Sequence, residues 1–476
     1  MKNFLTSYDI EVARSQGKSQ LVVDDGTVVT SVAQETADRL GIALVYGRRF
    51  KGAEERGAGA GSSGSGSTSD AAGAAAGEIN GRRTGYEGAY GRVRGSLGDP
   101  GVVEAWRKEF PILARIIHVG NCSQSPQSLW VRRGIETYLD NWLTVGMDWN
   151  YWIQEVNLAK AEFAKLINAE PDEIAVSTSV SEAVASVASG LDMSGKRRKI
   201  VATEAEFPTV GHVWLGHQKY GCKVEFVPVR DGEVKIEDYE RYVDGETLVT
   251  SVTHVYYQTG FKQDLEKIGE IAHSKGSIML VDAYQSLGTV PVDVKALDID
   301  ILTSGNLKYL LGIPGIAFLY VKKDLVPRLK PAVTGWFGQE NPFAFKVHYL
   351  DYASDARRFD TGTPPVMPAF AARAGMEIIN AVGPREIGRK IEELSAHCID
   401  GIRRRGLALA SPVDPKRKGS TTSVKVPDPH AVEEALKERG IIASARGDVI
   451  RVAPHFFTRP EDIDTVLDEI QDVLRG

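Results

Sequence analysis

Cysteine is scarce in this chain: three in 476 residues, Cys122, Cys222 and Cys398, with no close pair. That excludes a disulfide scaffold and offers no zinc-ligand spacing, so no metal is expected. A reducing cytoplasm is the expected compartment. Long apolar runs are missing too, and none reaches the roughly 18–20 residues of a membrane span. The opening MKNFLTSYDIEVARSQ mixes charge into every turn and lacks the apolar region of a signal peptide. There is no basic excess. Lys and Arg number 57 against 63 Asp and Glu, a formal net charge of −6, which gives no global positive field for nucleic acid. What is present is apolar content, 42% of residues, ample for a large core and more than one domain.

Residues 1–48 read as a compact module. A short helix is predicted from Thr6 or Ser7, a strand over QLVVDDGTVVT with a turn at Asp25-Gly26, a helix over SVAQETADRLG capped by Gly41, and a second strand in IALVYG. Residues 49–98 change character to Gly, Ala and Ser with few large apolar side chains. Such a stretch cannot bury enough surface to offset its ordering entropy, so it reads as a flexible linker. Order is expected to resume at Asp99-Pro100.

From there helix and strand patterns alternate. Helices are predicted at 128–142, 151–168 and 181–190, and strands at 173–177, 199–203, 223–228, 247–255, 278–282, 299–303 and 316–321. That alternation predicts an α/β fold with a mostly parallel sheet flanked by helices. Residues 99–364 form the large domain of this reading, with 99–125 able to pack on the smaller one. Residues 365–476 form a smaller α+β domain, with helices at 369–381 and 385–405, strands at 421–425 and 449–453, and a last helix in RPEDIDTVLDEIQDVL.

The chemistry concentrates between Val281 and Val321. Asp282 ends the apolar run IMLV, Lys308 follows 26 residues later, and a Gly-Pro-Gly bend and the strand IAFLYV come next. A carboxylate at a strand end and a lysine in a nearby loop are the two groups that pyridoxal phosphate (PLP) needs. The lysine forms the Schiff base, and the carboxylate keeps the pyridine nitrogen protonated.

This stretch resembles the class V aminotransferase family of fold-type I PLP enzymes, which includes cysteine desulfurases, kynureninase and isopenicillin-epimerase-like proteins. The resemblance runs from near Asp99 to the end. It implies the fold-type I transferase fold and a homodimer. It implies a phosphate site in VSTSVSEAVASVASGL, at the Val180 backbone and Ser181, where a helix start suits a dianion. Phe207 in TEAEFPTVGHVW is then the ring-stacking residue, with His212 structural. Tyr257, in THVYYQTGF, lies at the cofactor, and Gln285, in DAYQS, faces its phenolic oxygen. In RRFDTGTPPV, Gly362 and Thr363 cross to the partner's phosphate. Arg451 in GDVIRVAPHFF binds the substrate carboxylate, for which a guanidinium fork is suited; Arg357 and Arg358 are alternative anchors. The loop GNCSQSPQS brings Asn121 to the substrate and Cys122 near it.

Two departures stand out. Relatives commonly have Ser three residues before the lysine and His or Tyr just before it, where this chain has Gly305 and Leu307. The serine's phosphate contact then moves to Ser304 or Asn306, or is lost. The loop ASARGDVIR also lacks the desulfurase cysteine. The expected function is an aminotransferase-type reaction on a small amino acid. The alternatives are a kynureninase-like or β-eliminating lyase and a non-catalytic tethered scaffold. The N-terminal module resembles docking modules of multienzyme complexes and short segments of microcompartment-associated enzymes. Its helix SVAQETADRLG is expected to lay an apolar side in a groove of a protein or shell partner.

Overall fold

The computed structural model describes residues 4–5, 10, 13–14, 17–23, 28–29, 31–46, 93 and 95–475. They divide into two units, Met1–Arg92 and Val93–Gly476. In the first, strands Gln20–Val23 and Ala43–Tyr46 pair in parallel, and Phe4–Leu5 pairs in parallel with Val28–Val29. Helix Ser31–Leu40 precedes Gly41, whose φ of +65° ends it. The helix turns Ala33 and Ala37 onto Leu5, Ile10, Val23 and Ile42. This corrects the docking expectation: the helix's apolar side is already used by the module's own core. The start of the first expected helix, the Asp25-Gly26 turn and residues 49–92 of the expected linker lie outside the described residues.

In the second unit seven strands form the main sheet. They are β1 (Ile174–Ser177), β2 (Lys199–Thr203), β3 (Lys223–Val227), β4 (Thr247–Thr253), β5 (Ile278–Asp282), β6 (Ile301–Gly305) and β7 (Ala317–Val321). Their order is β1-β7-β6-β5-β4-β2-β3. Only β7 runs antiparallel to its neighbours β6 and β1. Most of these strands are buried along their whole length, as a sheet covered on both faces requires. The sixth strand starts later than expected because Asp298 takes a positive φ (+47°) and Asp300 is held by the Met279 N–H. It then runs on to Gly305, so the lysine loop begins at the sheet's edge.

Helices α1 (Leu129–Val145) and α2 (Trp149–Ile167) cover one flank, and α2 stacks Phe163 on Phe318 of β7 at 4.8 Å. Helices α3 (Val180–Ser189) and α4 (Pro208–His217) follow β1 and β2. Helix α5 (Val366–Val382), read from sequence as the start of the small domain, packs on α1 and α2 instead. Its Arg373 makes a two-oxygen bond to Glu155 of α2 at 2.9 and 2.8 Å. Both groups are buried, so removing either one would cost about 3–5 kcal/mol. The remaining C-terminal part carries α6 (Pro384–Arg404), α7 (Pro460–Arg475) and a four-stranded sheet. Its strands β8 (Ala408–Leu409), β9 (Thr422–Lys425), β10 (Ser444–Arg446) and β11 (Val449–Val452) lie in the order β8-β9-β11-β10.

The segment before α1 runs along this C-terminal part. Ser96 and the buried Leu97, assigned to the linker from sequence, bind the Glu386 carboxylate. Arg107 is buried on Asp462 at 2.9 Å, and Ile117–His118 pairs in parallel with Ile441–Ile442. Gly120 then bridges to Ala453. This delivers residues 120–125 to the main sheet's edge.

Candidate active site

Asp282, Gly305 and Ser177 end β5, β6 and β1, so the groups of interest gather at the carboxyl edge of the sheet, where open α/β folds bind ligands. Lys308 stands just beyond β6. Its Nζ lies 4.1 Å from the ring centroid of Tyr284 and 5.5 Å from that of Phe207. Burial lowers its pKa from 10.5 to about 8; Asp282 and Cys122 oppose the shift, and Arg451 and Arg446 add to it. Asp282 is buried at the strand end, and Oδ1 accepts the Tyr284 N–H at 2.8 Å. Burial raises its pKa, against the pull of that N–H and of Lys308.

At the expected phosphate site the helix opens one residue earlier than predicted. Ser179 caps α3 by accepting the Glu182 N–H, so the free N–H groups begin at Val180. Thr178, Ser179 and Ser181 are exposed there. Glu182 braces the loop from inside: its carboxylate accepts from the Thr178 N–H and hydroxyl and from the Thr361 hydroxyl. Gly362 and Thr363, beside Thr361, are exposed. Phe207 precedes α4 with 41% of its surface open, edge-on to Tyr257 at 5.4 Å. Gln285 donates to the Cys122 carbonyl, and its Oε1 is buried with no partner among the described residues. His212 is an exposed residue of α4.

Arg451, on β11, is 1% exposed. Its guanidinium donates to the Tyr257 carbonyl, the Ser123 and Ser444 hydroxyls and the Ser444 carbonyl, all uncharged acceptors. A buried cation held only by neutral groups suits an incoming carboxylate. Asn121 is fully buried and binds the Ala453 carbonyl and Ser125 hydroxyl, which fixes the loop. Cys122 is packed against Tyr309 and Ala453. Arg357 and Arg358 are committed elsewhere, to backbone carbonyls of the loops around 326–353.

Three residues escaped the sequence reading. Tyr284 lies under Lys308. Glu206, next to Phe207, is buried, with Oε1 3.4 Å from the Ser251 hydroxyl and Oε2 unpartnered among the described residues. Burial first, and the Asp282 charge second, push its pKa well up. Arg446 shares a strand with Ser444, two residues on and hence on the same face, and its charge is felt at Lys308. The adjacency of Glu206 to the stacking aromatic was the one available signal.

The chain that builds this edge, with its buried lysine, buried carboxylate and open aromatic face, is similar to known proteins in sequence and fold. Residues 148–455 match the Aminotransferase class-V family. The chain belongs to that family. It is 42% identical over 369 residues to the uncharacterized aminotransferase YcbU of Bacillus subtilis, covering 77% of this chain and 97% of that one. It is 28% identical to a kynureninase of Pseudomonas fluorescens, over 65% of this chain and 77% of the relative. The apo cysteine desulfurase of Thermococcus onnurineus shares the fold with a TM-score of 0.71 at 24% identity, over 78% of this chain and 98% of its own. This class-V aminotransferase-family enzyme therefore uses PLP, acts on an amino acid and has the fold-type I architecture. The orphaned Gln285 Oε1, the exposed Phe207 face and the free helix start fit that cofactor. Among the described residues no helix is long and apolar enough to cross a membrane.

The lysine makes a pH prediction. Below about pH 8 its amine is mostly protonated and unreactive, and above that it is mostly free. Capture of PLP by cofactor-free protein should therefore accelerate about tenfold per pH unit up to that point and then level off. Stopped-flow absorbance across pH 6–10 measures it; acceleration continuing toward 10.5 would contradict the burial argument.

Proposed function

We propose that the enzyme is an aminotransferase for a small α-amino acid. PLP supplies a ring that takes up the electron pair of the bond broken at the α-carbon. Lys308 carries the cofactor and then moves the α-proton. Leu307 cannot relay protons, so the lysine amine does this alone. Asp282 keeps the pyridine nitrogen protonated and Phe207 stacks on the ring. Gln285 faces the phenolic oxygen with Tyr257 close by. The Val180 backbone and Ser181 take the phosphate, and Arg451 takes the substrate carboxylate beside the loop of Asn121. The observation that carries this reading is Arg451: a buried guanidinium with only uncharged partners, felt electrostatically at Lys308.

A lyase is the second reading. FPT and THVYYQTG resemble kynureninase-like members, and a kynureninase is among the relatives. The two separate on one experiment. Full-length enzyme is mixed with single amino acids and no acceptor. An aminotransferase yields one keto acid per site, leaves pyridoxamine phosphate on the protein and stops. A lyase keeps turning over: a β-eliminating one releases keto acid, ammonia and the leaving group, and a kynureninase-like one, cleaving Cβ–Cγ with water, releases alanine and the side-chain acid.

We also infer a homodimer. Trp142, Leu143, Phe343, Phe345, Val347 and Tyr349 are all more than half exposed, and Trp336 joins Trp149 to Phe345 between them. Apolar exposure on this scale suits a partner surface, and Gly362 and Thr363 would then reach the partner's phosphate. For the N-terminal unit we propose recruitment to a protein assembly or a microcompartment shell, in a cytoplasmic enzyme. With the helix face used internally, the exposed Val22, Val45 and Tyr46 support docking through the strands. Deleting residues 1–92, the first unit alone, should leave kcat within about twofold and abolish co-purification with host partners. Loss of cofactor on deletion, or unchanged partner recovery, would overturn the assignment.

A further inference from the structure

Ser304 and Asn306 flank Gly305, and both polar atoms of the Asn306 amide are buried without a partner among the described residues. Ser304 Oγ donates to the Gly305 carbonyl. The Asn306 side chain lies against Gly312, where a Cβ would stand 1.5 Å from its Oδ1. Gly305 itself has no room for any side chain. A Cβ there would be 2.1 Å from Tyr284 Cζ and 2.3 Å from Tyr284 Oη. The phenol of Tyr284 lies across β6 in the space a residue-305 side chain would fill.

The place of that hydroxyl is informative. It lies near the Leu307 backbone N–H, one residue before the lysine. Burial, with Asp282 behind it, pushes the phenol pKa well above its usual value, so the proton stays on. No side chain or backbone acceptor for that proton occurs among the described residues. Gly305 pairs with Ala317, and Ala317 with Ser177, which leads directly into Thr178, Ser179 and the start of α3. Two strand spacings, about 10 Å, separate the phenol's perch from the anion-binding helix start. Tyr284 also packs against the core cluster that contains Val180 and Ala183 of that helix.

We propose that the Tyr284 hydroxyl donates a hydrogen bond to the cofactor phosphate, and that Tyr284 and Gly305 form a matched pair in which the phenol serves the site that a serine at 305 would otherwise serve. The inference rests on the PLP reading and on the phosphate lying at the α3 start.

The test compares two probes, PLP and pyridoxal, which lacks the phosphate. Full-length wild type and Tyr284→Phe are brought to equilibrium by dialysis against each probe, and bound probe is measured. A hydrogen bond to a charged group predicts an affinity loss of about 10- to 100-fold for PLP in Tyr284→Phe, with pyridoxal unchanged. Equal losses for both probes would place the hydroxyl at the ring or the lysine and overturn the proposal, as would no loss for either. Tyr284→Ala supplies the second variant, because it frees the space over residue 305. Adding Gly305→Ser to Tyr284→Ala should recover PLP affinity, and a role limited to filling space would give no recovery. If wild type itself binds no PLP, the cofactor reading fails rather than this contact.

Discussion

Replacing Lys308 with alanine is expected to cut turnover at least about a thousandfold, the scale of losing a positioned acid–base group together with the covalent anchor. The loss should exceed that of any other single substitution, because Leu307 offers no second group to move the proton. The variant should stay folded, since the loop is tied down elsewhere. Gly312 N–H binds the Asn306 carbonyl, the Tyr309 hydroxyl meets Thr421, and the Tyr309 carbonyl meets His455. Borohydride reduction followed by peptide mass mapping supplies an independent readout. Wild type should carry the phosphopyridoxyl label on the peptide containing Lys308, and the variant should carry none. Full turnover in the variant, or a label elsewhere in wild type, would refute the assignment.

Arg451→Ala should raise KM for the amino acid by about 30- to 4,000-fold, the equivalent of about 2–5 kcal/mol for a buried charge pair that loses one partner. The decarboxylated amine of the same substrate should show no such rise, because it has no carboxylate to lose. Arg451→Lys keeps the charge but not the fork and should recover only part of the affinity. A thermal melt separates binding from collapse, since Arg451 also links the Ser123 loop, the Tyr257 carbonyl and β10. If KM for amino acid and amine change alike, Arg451 is a structural link and the carboxylate anchor lies elsewhere.

The sheet was legible because each of its strands is a short, nearly continuous apolar run closed by small or polar residues. IMLV before Asp282 and AFLYV after the Gly-Pro-Gly bend are examples. Lys308, Asp282, Phe207, Gln285 and Arg451 could be found because their local patterns are distinctive, and the structure brings all five to one edge. Tyr284 could not. Its meaning lies in the emptiness of Gly305, a residue 21 positions away in sequence and in contact only across two strands. Glu206 was hidden for a related reason: sequence shows a carboxylate beside an aromatic, but only the fold buries it behind Asp282. The helix at 31–40 misled because small residues at helical spacing look alike whether they face a partner or their own strands. The placement of α5 was missed because its apolar residues fit either domain, and the buried Glu155–Arg373 pair decides it.

The strap formed by residues 117–125 has a consequence for how the enzyme is made. It pairs with Ile441–Ile442 and Ala453, and its loop touches Leu307, Gln285 and Arg451. Residues 117–120 are thus held in place by partners from the last few dozen residues of the chain. On the ribosome the site cannot close until nearly the whole protein has emerged. Until then the main sheet's carboxyl edge stands open, with contacts more than 300 residues apart still to be made. Such late, long-range closure is slow and exposes sticky surface meanwhile. A chain cut short before Ala453 should therefore emerge as a chaperone client with no stable hold on PLP, even though Lys308, Asp282 and Phe207 are all present.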